Sequence, residues 1–459
     1  MTATPETTPA PARSSFAETL AVYLKPRVLI VMLLGFSGGV PIVLIGSTLQ
    51  AWMTKSGIDI RTIGLFAAVA IPYNIKFLWA PLVDALDVPL LSRLLGRRRG
   101  WLMFSQILLM AAITLLGLSD PAVSAFVVAI AALAVGTASA TQDIVIDAFR
   151  VESLPESEQA VGIASYVAAY RIGSLVAGAG ALYLVVAFQG LDFGDKSAWT
   201  ACYIVMAALI LVGVIATLLA REPERSATAD AGREAPARDN SIKRTFWSAV
   251  DSFRDFLSRH LALGVLAFVV LFKLADALAL ALLTPFALSL GFSLTDVAKY
   301  RNGVGFIAAL LGGFVGSFIA RALSLSVGLW VGAILQTVMI LAFCWQAVAG
   351  KDLAILTLTI AIEFFFDAVG TVIFVAYLTA LCKNPLHTAT QFALLTALAA
   401  LGRNVFSLGS GYVVHAVDWF WYFIICMISG LPALAMLAWL QRRGHFDKLE
   451  LDQSRPAKP

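Results

Sequence analysis

Twelve stretches of this chain are apolar for long enough to cross a lipid bilayer as helices, and that repetition excludes most other folds. A crossing helix needs about 20 consecutive, mostly apolar residues. Such runs lie at 28–53, 60–83, 101–118, 121–149, 160–188 and 198–220, and again at 261–290, 297–320, 325–349, 352–382, 388–414 and 419–441. The least obvious division falls within 101–149, where Asp120-Pro121 supplies the turn. Of 459 residues only 14% are charged and 59% are hydrophobic, whereas soluble domains carry roughly 25% charged residues. A water-soluble fold of this make-up would lack the polar surface to cover its core. The chain therefore reads as an all-α membrane protein of about twelve transmembrane helices.

Its polar segments set the organisation. Residues 1–27 are rich in Thr, Pro and Ala and read as a disordered N-terminus; they lack the short apolar core and cleavage site of a signal peptide. Residues 221–260 separate two six-helix halves, 28–220 and 261–441, and residues 442–459 form a tail. The first part of 221–260 has linker composition. In its second part Ile242, Phe246, Val250, Phe253 and Leu257 recur at helical spacing among Lys243, Arg244, Arg254 and Arg259. That pattern suits an amphipathic helix on the membrane surface or a linker helix packed on protein. Of the 33 Lys and Arg, 23 fall in the termini and in the loops on the same side as the termini, 6 in the opposite loops (Arg301 among them), and 4 inside helices. The positive-inside rule then places both termini in the cytoplasm.

The halves carry matching polar residues. Asp143 and Asp147 on the fourth run correspond, 220 residues on, to Glu363 and Asp367 on the tenth, each pair spaced i, i+4. Arg171 on the fifth run is matched by Arg403 on the eleventh. Transporters of the major facilitator type are built from two such six-helix halves.

An ionisable group at the centre of a membrane helix costs at least about 2.5–3.5 kcal/mol, so each needs a partner or a wet cavity. The intramembrane set is Lys76, Asp143, Asp147, Arg171, Lys273, Asp276, Glu363, Asp367 and Arg403: four cations and five anions. A nearly neutral set fits a central cavity closed by salt bridges better than a pore lined by rings of one charge. The acids Asp143, Asp147, Asp276, Glu363 and Asp367 are candidates for carrying a coupling proton, or for fixed structural ion pairs. The cations Lys76, Arg171, Lys273 and Arg403 suit recognition of a substrate carboxylate, or charge balance for the acids. Gln50, Asn74, Gln142, Gln391 and Asn404 offer neutral hydrogen bonds to a sugar-like solute. Tyr73 and Tyr170, with Trp52, Trp79 and Tyr166, offer rings for its faces, although Trp and Tyr also gather at membrane interfaces. Near the termini, Asp84 with Arg97, Arg98 and Arg99, and Asp147 with Arg150, are placed to form a cytoplasmic gate; plain positive-inside topology is the other reading. Gly35-x-x-x-Gly39 and Gly312-x-x-x-Gly316 permit close helix approach.

Catalysis finds no support. The sequence has no nucleotide-binding glycine loop, no H-E-x-x-H and no G-x-S-x-G, and Cys202, Cys344, Cys382 and Cys426 are isolated in apolar runs without metal-ligand spacing. Neither a catalytic residue nor a metal is expected. The net charge of +4 sits in loops and gives no reason to expect nucleic acid.

GFSGGVPIVLIGSTLQAWM at 35–53, IPYNIKFLWAPLVD at 71–84, GRRRGW at 96–101, TQDIVIDAFR at 141–150, YRIGSLVAG at 170–178, FKLADA at 272–277 and TQFALLTALAALGR at 390–403 together resemble the AmpG muropeptide permeases. The Asp84/GRRRG element alone resembles the loop motif of the whole major facilitator superfamily. The resemblance runs through both halves and implies import of 1,6-anhydro-N-acetylmuramyl peptides across the bacterial inner membrane, driven by the proton gradient. It also implies a role in peptidoglycan recycling and, in some bacteria, a link to β-lactamase induction and antibiotic resistance. It adds weight to Asp143, Asp147 and Arg171. The expected partners are a small sugar-peptide solute and the lipid bilayer, the coupling ion a proton with no other cofactor, and the state monomeric. A same-fold permease for another anionic solute, acyl-CoA-like or a drug, and a membrane assembly factor that transports nothing are the competing readings.

Overall fold

The computed structural model describes residues 22–223, 261–381, 388–447 and 449. The expected N-terminal stretch, the tail and the amphipathic segment of the linker fall largely outside them. The described residues are helices and turns, with no strand. We number the helical segments α1 (Pro26–Lys55), α2 (residues 60–85), α3 (Arg97–Leu118), α4 (Ala125–Ser153), α5 (Val161–Gly190), α6 (Asp195–Leu219), α7 (Ala262–Ser289), α8 (Leu294–Ala322), α9 (Leu325–Ala349), α10 (Leu353–Leu381), α11 (Thr388–Ser407) and α12 (Ser410–Arg442); among the described residues ten of them are long and apolar enough to cross a membrane, α2 and α11 being the two that are not. The expected turn after 414 is a single-residue break inside α12, at Asp418 (φ 62°, ψ 172°). The turn at Asp120-Pro121 is present, with Asp120 accepting from Ala122 N–H and Ser124 capping α4.

Local chemistry explains the irregular crossings. α2 starts on Asp59, which accepts from Arg61 N–H at 2.8 Å. The Arg61 guanidinium and that N–H hold the Asp59 carboxyl down at about 2, so the cap stays ionised at physiological pH. Pro72 cannot donate to the backbone and crowds the preceding turn; α2 accordingly alternates between α-helical and 3-10 segments, at Phe66–Ala70 and Lys76–Leu78. Three other crossings carry a π-helical turn: Leu44–Thr48 in α1, Val176–Gly180 in α5 and Val297–Val304 in α8. The α5 turn packs on both of the others, with Thr48 Oγ1 donating to Ala177 O at 2.7 Å. Such turns insert one residue into the helix and often mark functional positions.

The two halves are wired alike. α1 packs on α5 and α6, α2 on α4, and α3 on α4 and α6; likewise α7 packs on α11 and α12, α8 on α10, and α9 on α10 and α12. Both glycine motifs serve this wiring. A Cβ on Gly39 would lie 2.0 Å from Tyr170 O, and one on Gly312 2.1 Å from Phe365 O, so α1–α5 and α8–α10 meet backbone to backbone. The neighbouring Gly313 faces open space. Gly312→Ala is therefore expected to destabilise by about 1–3 kcal/mol through overpacking. Gly313→Ala should be neutral or stabilising by up to about 1 kcal/mol. Thermal unfolding of the two variants in detergent checks the contrast.

Arg97–Arg99, Arg150 and Arg442 all lie at one end of the bundle, here termed the basic end. The halves meet most extensively toward the other end. There Leu49–Lys55 of α1 packs on Leu283–Ser289 of α7, α5 packs on α8 through their π-helical turns, and Ile60–Leu65 of α2 packs on α12. Gln50 Nε2 donates to Ala281 O at 2.9 Å across this seam, and a Cβ on Gly64 would lie 2.7 Å from Gly411 N.

Candidate functional site

Two clusters of buried charge lie in the interior, one in each half. In the first, Asp143 of α4 is buried, and its Oδ2 lies 3.6 Å from Lys76 Nζ of α2. Its Oδ1 is buried without a partner, as are Tyr73 Oη and Asn74 Nδ2 on the neighbouring turn of α2. Asp143 Oδ1 and Tyr166 Oη both lie within 3.6 Å of the point a Cβ on Gly38 would occupy, so α5 closes one side of the cluster. Lys76 keeps 32% of its side chain accessible and can be hydrated.

The second cluster is denser. Lys273, 4% accessible at its side chain, lies 3.1 Å from Asp276 Oδ2 on its own helix and forms an ion pair with Asp367 of α10. Thr371 Oγ1 donates to the same Asp367 oxygen at 3.4 Å. Glu363, one turn before Asp367, is fully buried with neither oxygen partnered. Glu363 and Asp367 act electrostatically on Asp276 or on each other, so three carboxylates share one ammonium. Arg403 of α11 acts on Asp367 electrostatically.

Several expected residues stand elsewhere. Asp147, one turn beyond Asp143, has 53% of its side chain accessible and pairs with Arg150 at 3.5 Å on its own helix. Gln142 is buried and donates to Ser37 Oγ at 3.3 Å, which ties α4 to α1. Gln50 is used by the seam between the halves, and Trp52 is buried in a stack on Trp199 at 5.7 Å. The side chains of Asp84 and Gln391 lie outside the described residues. Arg171 is exposed and, with Tyr170, lines a cavity between α5 and α8.

At the basic end, the arginine run engages residues that spacing did not single out. Arg98 donates to Glu152 of α4, with Nη2 at 2.5 Å and Nε at 2.9 Å, and Arg97 lies 4.0 Å from the same carboxylate. Glu222 caps the start of α3 by accepting from the Arg98 and Arg99 N–H groups at 2.8 and 3.1 Å. Arg99 returns the favour in kind, capping α6 at Thr217 O and Leu218 O. These described partners lie on α4, on α6 and just beyond the end of α6, and brace α3, α4 and α6 together. Arg301 also went unrecognised. It lies inside α8, on the π-helical turn, and not in the loop where the charge count placed it. The apolar run 297–320 already contained it, and that was the available signal.

Two similarly wired six-helix halves, each holding a cluster of buried charge, have the architecture of a secondary transporter. Residues 28–403 match the Major Facilitator Superfamily, and the chain belongs to that family of membrane transporters; it is a permease and not an enzyme. It is 36% identical over 423 residues to the anhydromuropeptide permease of Escherichia coli K12, covering 92% of this chain and 81% of that one. It is 33% identical over 417 residues to the transporter named AmpG 4 of Rickettsia felis, covering 91% and 97%. Among solved structures it shares its fold with a bacterial homologue of the human lysosomal transporter Spinster, at a TM-score of 0.69, 15% identity and coverage of 97% of this chain and 100% of that one. The nucleoside transporter NupG matches at 0.67, with 15% identity and coverage of 90% and 99%.

Proposed function

We propose that this permease imports anhydromuropeptides from periplasm to cytoplasm across the bacterial inner membrane, in symport with protons, with both termini in the cytoplasm. The substrate rests on the 36% identity to the Escherichia coli anhydromuropeptide permease. The orientation rests on the excess of Lys and Arg at the basic end, which grows when Arg301 is moved from the opposite loops into α8. On that orientation the seam between the halves lies on the periplasmic side.

Proton coupling is supported by both buried clusters, by Asp143, whose Oδ1 is buried without a partner beside Lys76, and by Asp276, Glu363 and Asp367 around Lys273. Three buried carboxylates beside one ammonium cannot all ionise at low cost, so the cluster holds a proton whenever no other cation faces it. A carboxylate-bearing solute competes with these acids for the same cations. Protonating an acid frees Lys76 or Lys273 for the solute, which makes binding of proton and solute mutually favourable. Exchange of labelled for unlabelled GlcNAc-1,6-anhydroMurNAc across proteoliposomes, with no proton gradient, tests the substrate. Exchange above protein-free liposomes supports it; exchange at their level, from protein that unfolds cooperatively, rules it out.

A further inference from the structure

Among the intramembrane cations, Lys76 and Lys273 have carboxylate partners, whereas Arg171, Arg301 and Arg403 have none within ion-pair distance among the described residues. Of these three, Arg301 carries a buried nitrogen, its Nε, with no hydrogen-bond partner. It lines a cavity of about 440 Å³ between α5 and α8, together with Arg171, Tyr166, Tyr170 and Asn302, and no Asp or Glu is present in that lining. Holding an unmatched guanidinium within a membrane segment is costly, and the cost falls when an anion arrives. A guanidinium presents paired donors that match a carboxylate, and a second arginine, Arg171, stands on the facing wall, on α5.

We propose that the cavity between α5 and α8 is a carboxylate-binding subsite, with Arg301 its principal donor and Arg171 its second. The inference rests on the muropeptide reading in one respect, that the solute carries peptide carboxylates. The cavity is at the small end for a ligand pocket and receives one part of the solute. Tyr166 links it to the Asp143–Lys76 cluster, since its ring lines the cavity while its hydroxyl faces the Gly38 position beside Asp143. The peptide end thus lies against Arg301 while the sugars reach toward α2 and α4. Arg301 then sets the preference for solutes with an ionised peptide over those without one.

The test is a calorimetric titration of the purified full-length protein, its Arg301→Gln variant and its Arg301→Lys variant. Three ligands are used: a GlcNAc-anhydroMurNAc-tripeptide, the same compound with its peptide carboxylates amidated, and the free acidic tripeptide. Losing one charged hydrogen-bonding partner should weaken binding of the acidic muropeptide to Arg301→Gln about ten- to a hundredfold. The amidated compound should bind wild type and Arg301→Gln within about twofold of each other, and Arg301→Lys should fall between on the acidic ligand. If Arg301→Gln fails to fold, the comparison moves to wild type and Arg301→Lys, where amidation must cost wild type more. Equal weakening of both muropeptides in Arg301→Gln, or no weakening, overturns the subsite and leaves the muropeptide reading intact. If no muropeptide binds wild type but the free tripeptide does so through Arg301, the subsite stands and the muropeptide reading falls. If none of the three binds folded wild type, both are overturned.

Discussion

Lys273→Ala is expected to destabilise the protein by about 3–5 kcal/mol, the range for removing one partner of a buried ion pair. The substitution leaves Asp276, Glu363 and Asp367 facing one another with no ammonium among them. At 4% accessibility around Lys273, little water can replace it. Adding Asp367→Asn to Lys273→Ala removes a like charge and should recover part of the loss, so the two substitutions are strongly non-additive. Thermal unfolding of the single and double variants in detergent measures this. A loss below about 1 kcal/mol for the single variant would mean the carboxylates are held by something other than Lys273.

Asp143→Asn should behave differently. Lys76 is 32% accessible, so the cation left behind can hydrate, and the fold should survive. What should disappear is accumulation. One proton moving down 100 mV supplies about 2.3 kcal/mol, enough for roughly fiftyfold accumulation of a solute that moves with it. In Asp143→Asn the accumulation ratio should fall to about one while solute exchange continues. Asp147→Asn, at a half-exposed position paired with Arg150, should retain most of the wild-type ratio. Equal losses in the two variants would place the coupling outside the buried cluster.

The order of the crossings was legible because hydrocarbon imposes a length on a crossing helix; ten of the described helices meet it, whereas α2 is broken into short segments and α11 is apolar only over Leu394–Ser407. The repeat was legible through paired charges, since few residues are so costly in a membrane. What spacing did not reveal was direction around each helix. These helices are apolar on faces that meet lipid and on faces that meet protein, so periodicity does not separate the two. Asp143 and Asp147 share a face by spacing, yet one turn of rise leaves one buried and the other open. Gln142 adjoins Asp143 in sequence and points to α1 instead. Arg301 was obscured by a π-helical turn close to the helix end, which shifts the phase of every residue after it. The acids that hold Arg97–Arg99, Glu152 and Glu222, lie 54 and 124 residues from Arg98, and only the packing of α3, α4 and α6 brings them together.

Uptake of labelled GlcNAc-1,6-anhydroMurNAc-tripeptide into proteoliposomes, with and without an imposed inward proton gradient, tests the central claim most directly. Import in symport with protons predicts accumulation that rises with the gradient, collapses on adding a protonophore, and falls to equilibration in Asp143→Asn. Uptake that equilibrates to the same level with or without the gradient would contradict it.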